Sequence, residues 1–428
     1  PKRLTRHNSQ VEILGAHLSS ALGTDTDIND LIALGYNIRQ REPLEIQNNN
    51  LAPRLSLTWD PWADGKSKGF ASWGRFYDKL FLNTVTLEQG PDTVTRFYRF
   101  DADGIDLLGR PDNQFGKSLS QAAPSAFQVD RSLSTPFTDE MTLGFQREIA
   151  PEVSLGITLI RRDFHNQLQD IDVNHYTVRN PVTGLYADDL GDEILAGAIK
   201  GSPPAQLPDG IPDLYIQNFF FNRVFRLGNY NEQTYRAVEL EMVKRLSRKW
   251  QMEASYTWSR AEGDAETFLS ENGDDPTMSE YEYGYLDYDQ THVIKLNAVT
   301  YLPGDWRIGG TATWASGLPY SYIQEVEPND DVGYFQSRRV YGYNNTAGHF
   351  VPENRNSHRN PAAYNFNARV EKNFVMGKAS ASAFLEIFNL LNSDSLRVYA
   401  YDSGVTRFNT FGTREFGRRF QLGIQVSF

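Results

Sequence analysis

Carboxylates are the residues of this 428-residue chain best suited to chemistry. In Asp101-Ala-Asp-Gly-Ile-Asp106, the side chains of Asp101, Asp103 and Asp106 are gathered by a turn at Gly104. Hard cations such as Ca²⁺ favour several oxygen ligands held in this way. The run departs from an EF-hand loop, because its glycine comes fourth and no Glu stands at the twelfth position. An ordinary Asp-Gly turn therefore competes with a Ca²⁺ site. Asp209-Gly-Ile-Pro-Asp213 is a poorer version of the same pattern. From Glu262 to Asp289 the chain carries Glu271, Asp274, Asp275, Glu280, Glu282, Asp287 and Asp289, with neither Lys nor Arg. Such a run either attracts cationic ligands or is a solvated, self-repelling loop.

Catalytic signatures carry little weight. His-Glu-x-x-His, the P-loop and the dinucleotide glycines do not occur, and the Gly-x-Ser-x-Gly spacing of Gly65-Lys-Ser-Lys-Gly69 runs out of an expected turn into a strand, so the chain reads as a non-enzyme without a resident cofactor. The seven histidines are dispersed. His165 and His175 fit no zinc spacing, and His292 reads as structural. The absence of cysteine removes disulfides and thiolate chemistry. A formal net charge of -12 argues against nucleic acid as a partner.

The elements that must position these residues are strands. Aromatics make up 13% of the chain, dominated by Tyr and Phe, which suits sheets. Mean hydropathy of -0.51 and the lack of any long apolar run exclude a membrane-crossing helix. Strands tolerate a polar average, because only alternate residues need be apolar. Trp250, Met252, Ala254, Tyr256 and Trp258 alternate with Gln251, Glu253, Ser255 and Thr257. Met141, Leu143 and Phe145, and Tyr364, Phe366, Ala368 and Val370, behave alike.

Connection lengths alternate as well. Tight turns are expected at 150–152, 246–249, 302–305 and 375–378, with a slightly longer one at 60–67. Between them lie connections at 78–138, 163–233, 260–290, 315–362 and 389–418. About eleven strands follow, near 51–59, 68–77, 139–149, 153–162, 234–246, 249–259, 291–301, 306–314, 363–374, 379–388 and 418–428. Short turns at one rim and long loops at the other describe a transmembrane, antiparallel, up-and-down β-barrel, with outer-membrane lipid around it. Trp250 and Trp306 follow short turns, and Trp258 and Trp314 lie eight positions further on the same faces. That separation, roughly 19 Å along the membrane normal, suits two aromatic girdles.

Residues 1–50 lack the alternation and read as an external loop region, with 51–428 as barrel. The opening Pro1-Lys-Arg-Leu-Thr-Arg6 has no apolar signal core, so a mature or truncated segment is expected.

The final strand, Phe420-Gln-Leu-Gly-Ile-Gln-Val-Ser-Phe428, places Phe420, Leu422, Ile424, Val426 and Phe428 on one face. Gln421, Gly423, Val426 and Phe428 resemble the assembly signal of outer-membrane barrels, which implies the barrel assembly machinery as a partner. Other segments resemble the TonB-dependent receptor family, especially its Oar-like members. They are Asn50-Leu-Ala-Pro-Arg-Leu-Ser-Leu-Thr-Trp59, Gly69-Phe-Ala-Ser-Trp-Gly-Arg-Phe-Tyr77, Asp289-Gln-Thr-His-Val-Ile-Lys-Leu-Asn297 and Glu386-Ile-Phe-Asn-Leu-Leu-Asn392.

The resemblance implies the C-terminal half of a plugged barrel of roughly 22 strands in the bacterial outer membrane. It also implies, as partners, an N-terminal barrel half and plug supplied by other residues or another chain, and the TonB complex. Neither plug nor TonB box is found in this chain. Substrate uptake is the leading expectation. A structural, adhesive or scaffolding barrel with surface loops is the alternative.

Overall fold

The computed structural model describes residues 47–80, 96–99, 117–121, 126–130, 132–173, 175–177, 182–185, 193–195, 214–216, 224–266, 276–326, 338–347, 349–376, 379–402, 411–414 and 416–427. Eleven long strands form one antiparallel meander, each hydrogen-bonded to the next in sequence order. They are β1 (Arg54–Trp59), β2 (Ser67–Tyr77), β3 (Phe137–Ala150), β4 (Val153–Asp172), β5 (Val224–Ser247) and β6 (Trp250–Gly263), followed by β7 (His292–Leu302), β8 (Trp306–Ala315), β9 (Ala363–Met376), β10 (Ala379–Phe388) and β11 (Arg419–Ser427). The expected count of eleven and the strictly alternating connection lengths both hold.

Directly paired residues share a face, so the register shows what each face carries. Trp59, Gly69, Phe145, Ile157, Leu240, Tyr256, Ile294, Trp314 and Tyr364 form one cross-strand row over nine strands. This row starts beside a short turn at Trp59 and ends beside a long loop at Tyr364. Such a drift from rim to rim is the stagger of a barrel wall with inclined strands. The apolar face continues to the last strand through Ile387–Phe420, Leu385–Leu422, Ala383–Ile424 and Ala381–Val426. Leu422 is 78% exposed and Leu57 63%, so this face has no protein covering it.

The opposite face is polar. Gly156, Glu241, Ser255, Lys295, Thr313 and Asn365 make one of its rows. Alternation of side chains along every strand keeps the two faces distinct.

Two strands run much further than sequence pattern indicates. β4 extends to Asp172 rather than 162, and β5 starts at Val224 rather than 234. On the apolar face of β4, Leu155, Ile157 and Leu159 give way to Arg161, Asp163 and His165. Beyond that point the regular alternation is broken, with Leu168 and Ile171 set among polar residues, and the hydropathy signal ends. The backbone ladder nevertheless continues to the Phe225–Asp172 pair.

The long connections carry structure of their own. Strands at 319–326, 338–344, 350–352, 358–359, 396–402 and 411–414 form a small sheet that joins two of the loops. Val129, Leu133, Leu168 and Leu227 bury a small core beneath the extended ends of β4 and β5.

Candidate functional site

Two polar constructions stand out, one on the polar wall and one in the loops. On the wall, Arg307 on β8 and Arg369 on β9 converge on Glu371, and Arg369 also reaches Glu386 on β10. Arg307 Nη2 donates to Glu371 Oε2 at 2.5 Å and Arg369 Nη2 to the same oxygen at 2.7 Å. Arg369 Nη1 donates to Glu386 Oε1 at 2.6 Å, and its guanidinium lies 3.9 Å from the centre of the Phe384 ring. Cross-strand register explains the grouping, since Arg307 faces Glu371 and Arg369 faces Glu386. Charges held by charged neighbours on a sheet face suit an interior filled with water.

In the loops, the connection after β6 is locked to the connection after β8. Arg355 is buried to 3% exposure and donates from Nη1 to both carboxylate oxygens of Glu266 at 2.9 Å. Its Nε reaches the Glu282 carbonyl and its Nη2 the Gly263 carbonyl, each at 3.1 Å. Gly284 makes this approach feasible, because a Cβ there would sit 2.1 Å from the Arg355 carbonyl oxygen. Asn356 donates to the Tyr285 carbonyl at 2.7 Å and to Asp287 Oδ1 at 2.6 Å. Arg359 donates to Asp289 Oδ2 at 2.6 Å, and Asp289 Oδ1 accepts the Ala261 N–H at 2.7 Å. Burial and the nearby Glu266 charge push the Asp287 carboxyl above the usual Asp range.

The acidic run is therefore neither a free cation trap nor a self-repelling loop over its described part. Glu266, Asp287 and Asp289 are answered by Arg355, Asn356 and Arg359, which lie 69 to 89 residues further along the chain, while Glu271, Asp274 and Asp275 lie outside the described residues. Sequence inspection of the acidic loop alone misses them. The one available signal was charge balance, since the following loop supplies the arginines.

The sequence-singled residues fall as follows. Trp250, Trp258, Trp306 and Trp314 all lie on the apolar face, Trp250 and Trp306 beside short turns and Trp258 and Trp314 toward the long loops. Gln421 pairs with Glu386, Gly423 with Phe384 and Val426 with Ala381. Gly423 lies under the Phe384 ring, where a Cβ would come within 2.2 Å of Cζ. Phe428, the carboxylates Asp101, Asp103 and Asp106, and the Asp209–Asp213 pattern lie outside the described residues. Among the described residues no group of three or more His, Asp or Glu side chains is arranged to hold a metal ion. His292 stacks on Tyr256 and shares a 2.9 Å hydrogen bond with its hydroxyl, a structural position.

An inclined antiparallel meander with one uncovered apolar face and one charged face defines the wall of a transmembrane β-barrel. This chain belongs to the outer membrane beta barrel domain family, whose model matches residues 16–421, and it resides in the bacterial outer membrane. The TonB-dependent transporter Oar of Myxococcus xanthus is 22% identical over 384 residues, 80% of this chain and 32% of that protein. The chain thus spans about a third of the length of this curated relative. Among solved structures, the outer membrane transporter YddB from Escherichia coli aligns at a TM-score of 0.49 and 14% identity, covering 88% of this chain and 40% of that one. A mutant of the ferric enterobactin receptor PfeA from Pseudomonas aeruginosa aligns at 0.46 and 12% identity, with the same coverages. These relatives are a transporter of the TonB-dependent kind, an outer membrane transporter and a ferric enterobactin receptor.

Proposed function

We infer that this chain forms the C-terminal half of the barrel of a TonB-dependent receptor, which takes up a substrate captured by its outer loops. The observation that carries the reading is the combination of an uncovered apolar face with a polar opposite face along the eleven-strand meander, charged where Arg307, Glu371, Arg369 and Glu386 meet. An aqueous lumen accounts for the second face as lipid accounts for the first. Among the described residues β1 and β11 do not pair with each other. Unpaired strand edges in hydrocarbon cost several kcal/mol per amide, so further strands complete the wall, and a plug in the lumen supplies the gate that TonB moves. Trp250, Trp306, Trp258 and Trp314 serve as aromatic girdles at the two interfaces. The octet ending at Phe428 serves assembly.

Titrating the purified full-length protein with the periplasmic domain of its cognate TonB tests the coupling directly. Binding that strengthens when a cargo occupies the loops is expected. A full-length protein with no affinity for TonB would favour the adhesive or scaffolding barrel instead.

A further inference from the structure

On the apolar face, three arginines stand directly opposite one another across neighbouring strands. Arg161 on β4 pairs with Arg236 on β5, and Arg236 pairs with Arg260 on β6. They occupy one row, a single step beyond the apolar row of Leu159, Val238 and Trp258 and on its long-loop side. Like charges directly opposite on a sheet repel, so this row is unfavourable unless an anion joins it.

The flanking arginines are partly neutralised. Arg161 pairs with Asp163 at 2.7 Å, while Arg260 lies 3.2 Å from Glu262 and donates to the Tyr285 hydroxyl at 2.7 Å. The central one is not. Arg236 is exposed and has no ion-pair or hydrogen-bond partner among the described residues. In the next row outward, Asp163 and Glu262 flank Thr234, so a hydroxyl rather than a carboxylate lies directly beyond Arg236. A guanidinium flanked by two others, with a hydroxyl beyond it, suits a phosphate.

A second observation lies on the same strands. An apolar groove of about 630 Å³ is lined by Leu155, Ile157, Leu240, Met242, Tyr256 and Ile294. Leu240 is four residues from Arg236, roughly 13 Å along the strand. The groove therefore opens into hydrocarbon below the row of guanidiniums.

We propose that this face binds a phosphate-bearing lipid of the outer leaflet. Its phosphate sits on Arg236 between Arg161 and Arg260, and an acyl chain lies in the groove beneath. The proposal uses the membrane placement of the wall and is independent of substrate uptake.

The test uses full-length protein in detergent, offered diphosphorylated lipid A, its dephosphorylated counterpart, or inorganic phosphate, with retained lipid counted by native mass spectrometry. Wild type is expected to hold the phosphorylated lipid about tenfold more tightly than the dephosphorylated one. R236Q should erase most of that preference, R236K should keep part of it, and L240A should weaken both lipids together. Heat-modifiable migration of each variant confirms an intact barrel. Equal retention of both lipids by wild type, or an unchanged preference in a folded R236Q protein, would overturn the proposal. Displacement of the lipid by millimolar phosphate would assign the site to a free anion and overturn it as well.

Discussion

Arg355 buries its guanidinium against Glu266, an acid eighty-nine residues earlier in the chain, with both carboxylate oxygens 2.9 Å from the same Nη1. This contact ties two outer loops that spring from different hairpins. It converts two exposed connections into one body, and its loss should be felt in the loops and not in the wall.

Replacing Arg355 with Ala leaves Glu266 without its cation and removes hydrogen bonds to the Gly263 and Glu282 carbonyls. Breaking one side of a buried pair costs about 3 kcal/mol. Hydrogen exchange should accelerate across 276–291 and 349–360, while the amides of β6 to β9 and heat-modifiable migration stay as in wild type. Uniform acceleration through the strands would show that the clamp supports the barrel itself.

The raised Asp287 carboxyl gives the same loops a pH dependence. In the closed loops Asp287 binds its proton more tightly than in open chain, so its contribution is fully present below the ordinary Asp value of about 3.9 and is lost as pH rises through its elevated value. Loop exchange in 276–291 should therefore quicken with rising pH by more than the intrinsic exchange rate explains. D287N, which is neutral throughout, should flatten that excess. A wild-type excess that persists in D287N would assign the dependence to another group.

Asn389 holds a left-handed backbone, φ 52°, and its side chain binds the Ser393 and Phe416 carbonyls at 2.7 and 2.9 Å. It also accepts the Ser393 N–H at 2.8 Å, so it joins the two ends of the loop between β10 and β11. N389A meets both the conformational penalty and the lost bonds, whereas N389G escapes the first. Chemical unfolding in detergent should show Ala less stable than Gly by about 1 kcal/mol, with both below wild type. Equal stabilities would show that the backbone conformation is unimportant.

Gly423 cannot gain a branched side chain while Phe384 lies across it. G423V should lower the yield of heat-modifiable barrel severalfold, and F384A in the same chain should restore part of it. If F384A gives no recovery, the glycine is needed for reading by the assembly machinery and not for packing against the ring.

Much of the wall was legible before any coordinates. Residues such as Trp250 to Trp258 alternate because lipid and water meet the two faces of one strand, and that contrast is written locally. The same reasoning failed where the contrast vanishes. β4 beyond Arg162 and β5 before Thr234 lose the regular alternation of apolar and polar residues, so they read as loop although their backbones stay paired. Two of the segments resembling known receptors hold residues with a clear local role. Asn389 and Asn392 are left-handed residues closing a loop, and Asp289 accepts a backbone N–H and an arginine.

Apart from the strands within the long connections, sequence by itself determined the class of element, the number of wall strands, the faces each of them presents and the alternation of short and long connections. Those are set by neighbours two residues apart and by turn residues. Tertiary structure alone decided that Arg355 answers Glu266, that Arg307 and Arg369 share Glu371, and that Arg161, Arg236 and Arg260 fall in one row. These groupings depend on register between strands and on loops meeting over the rim. A shift of one residue in pairing would dissolve each of them without altering the pattern along any single strand.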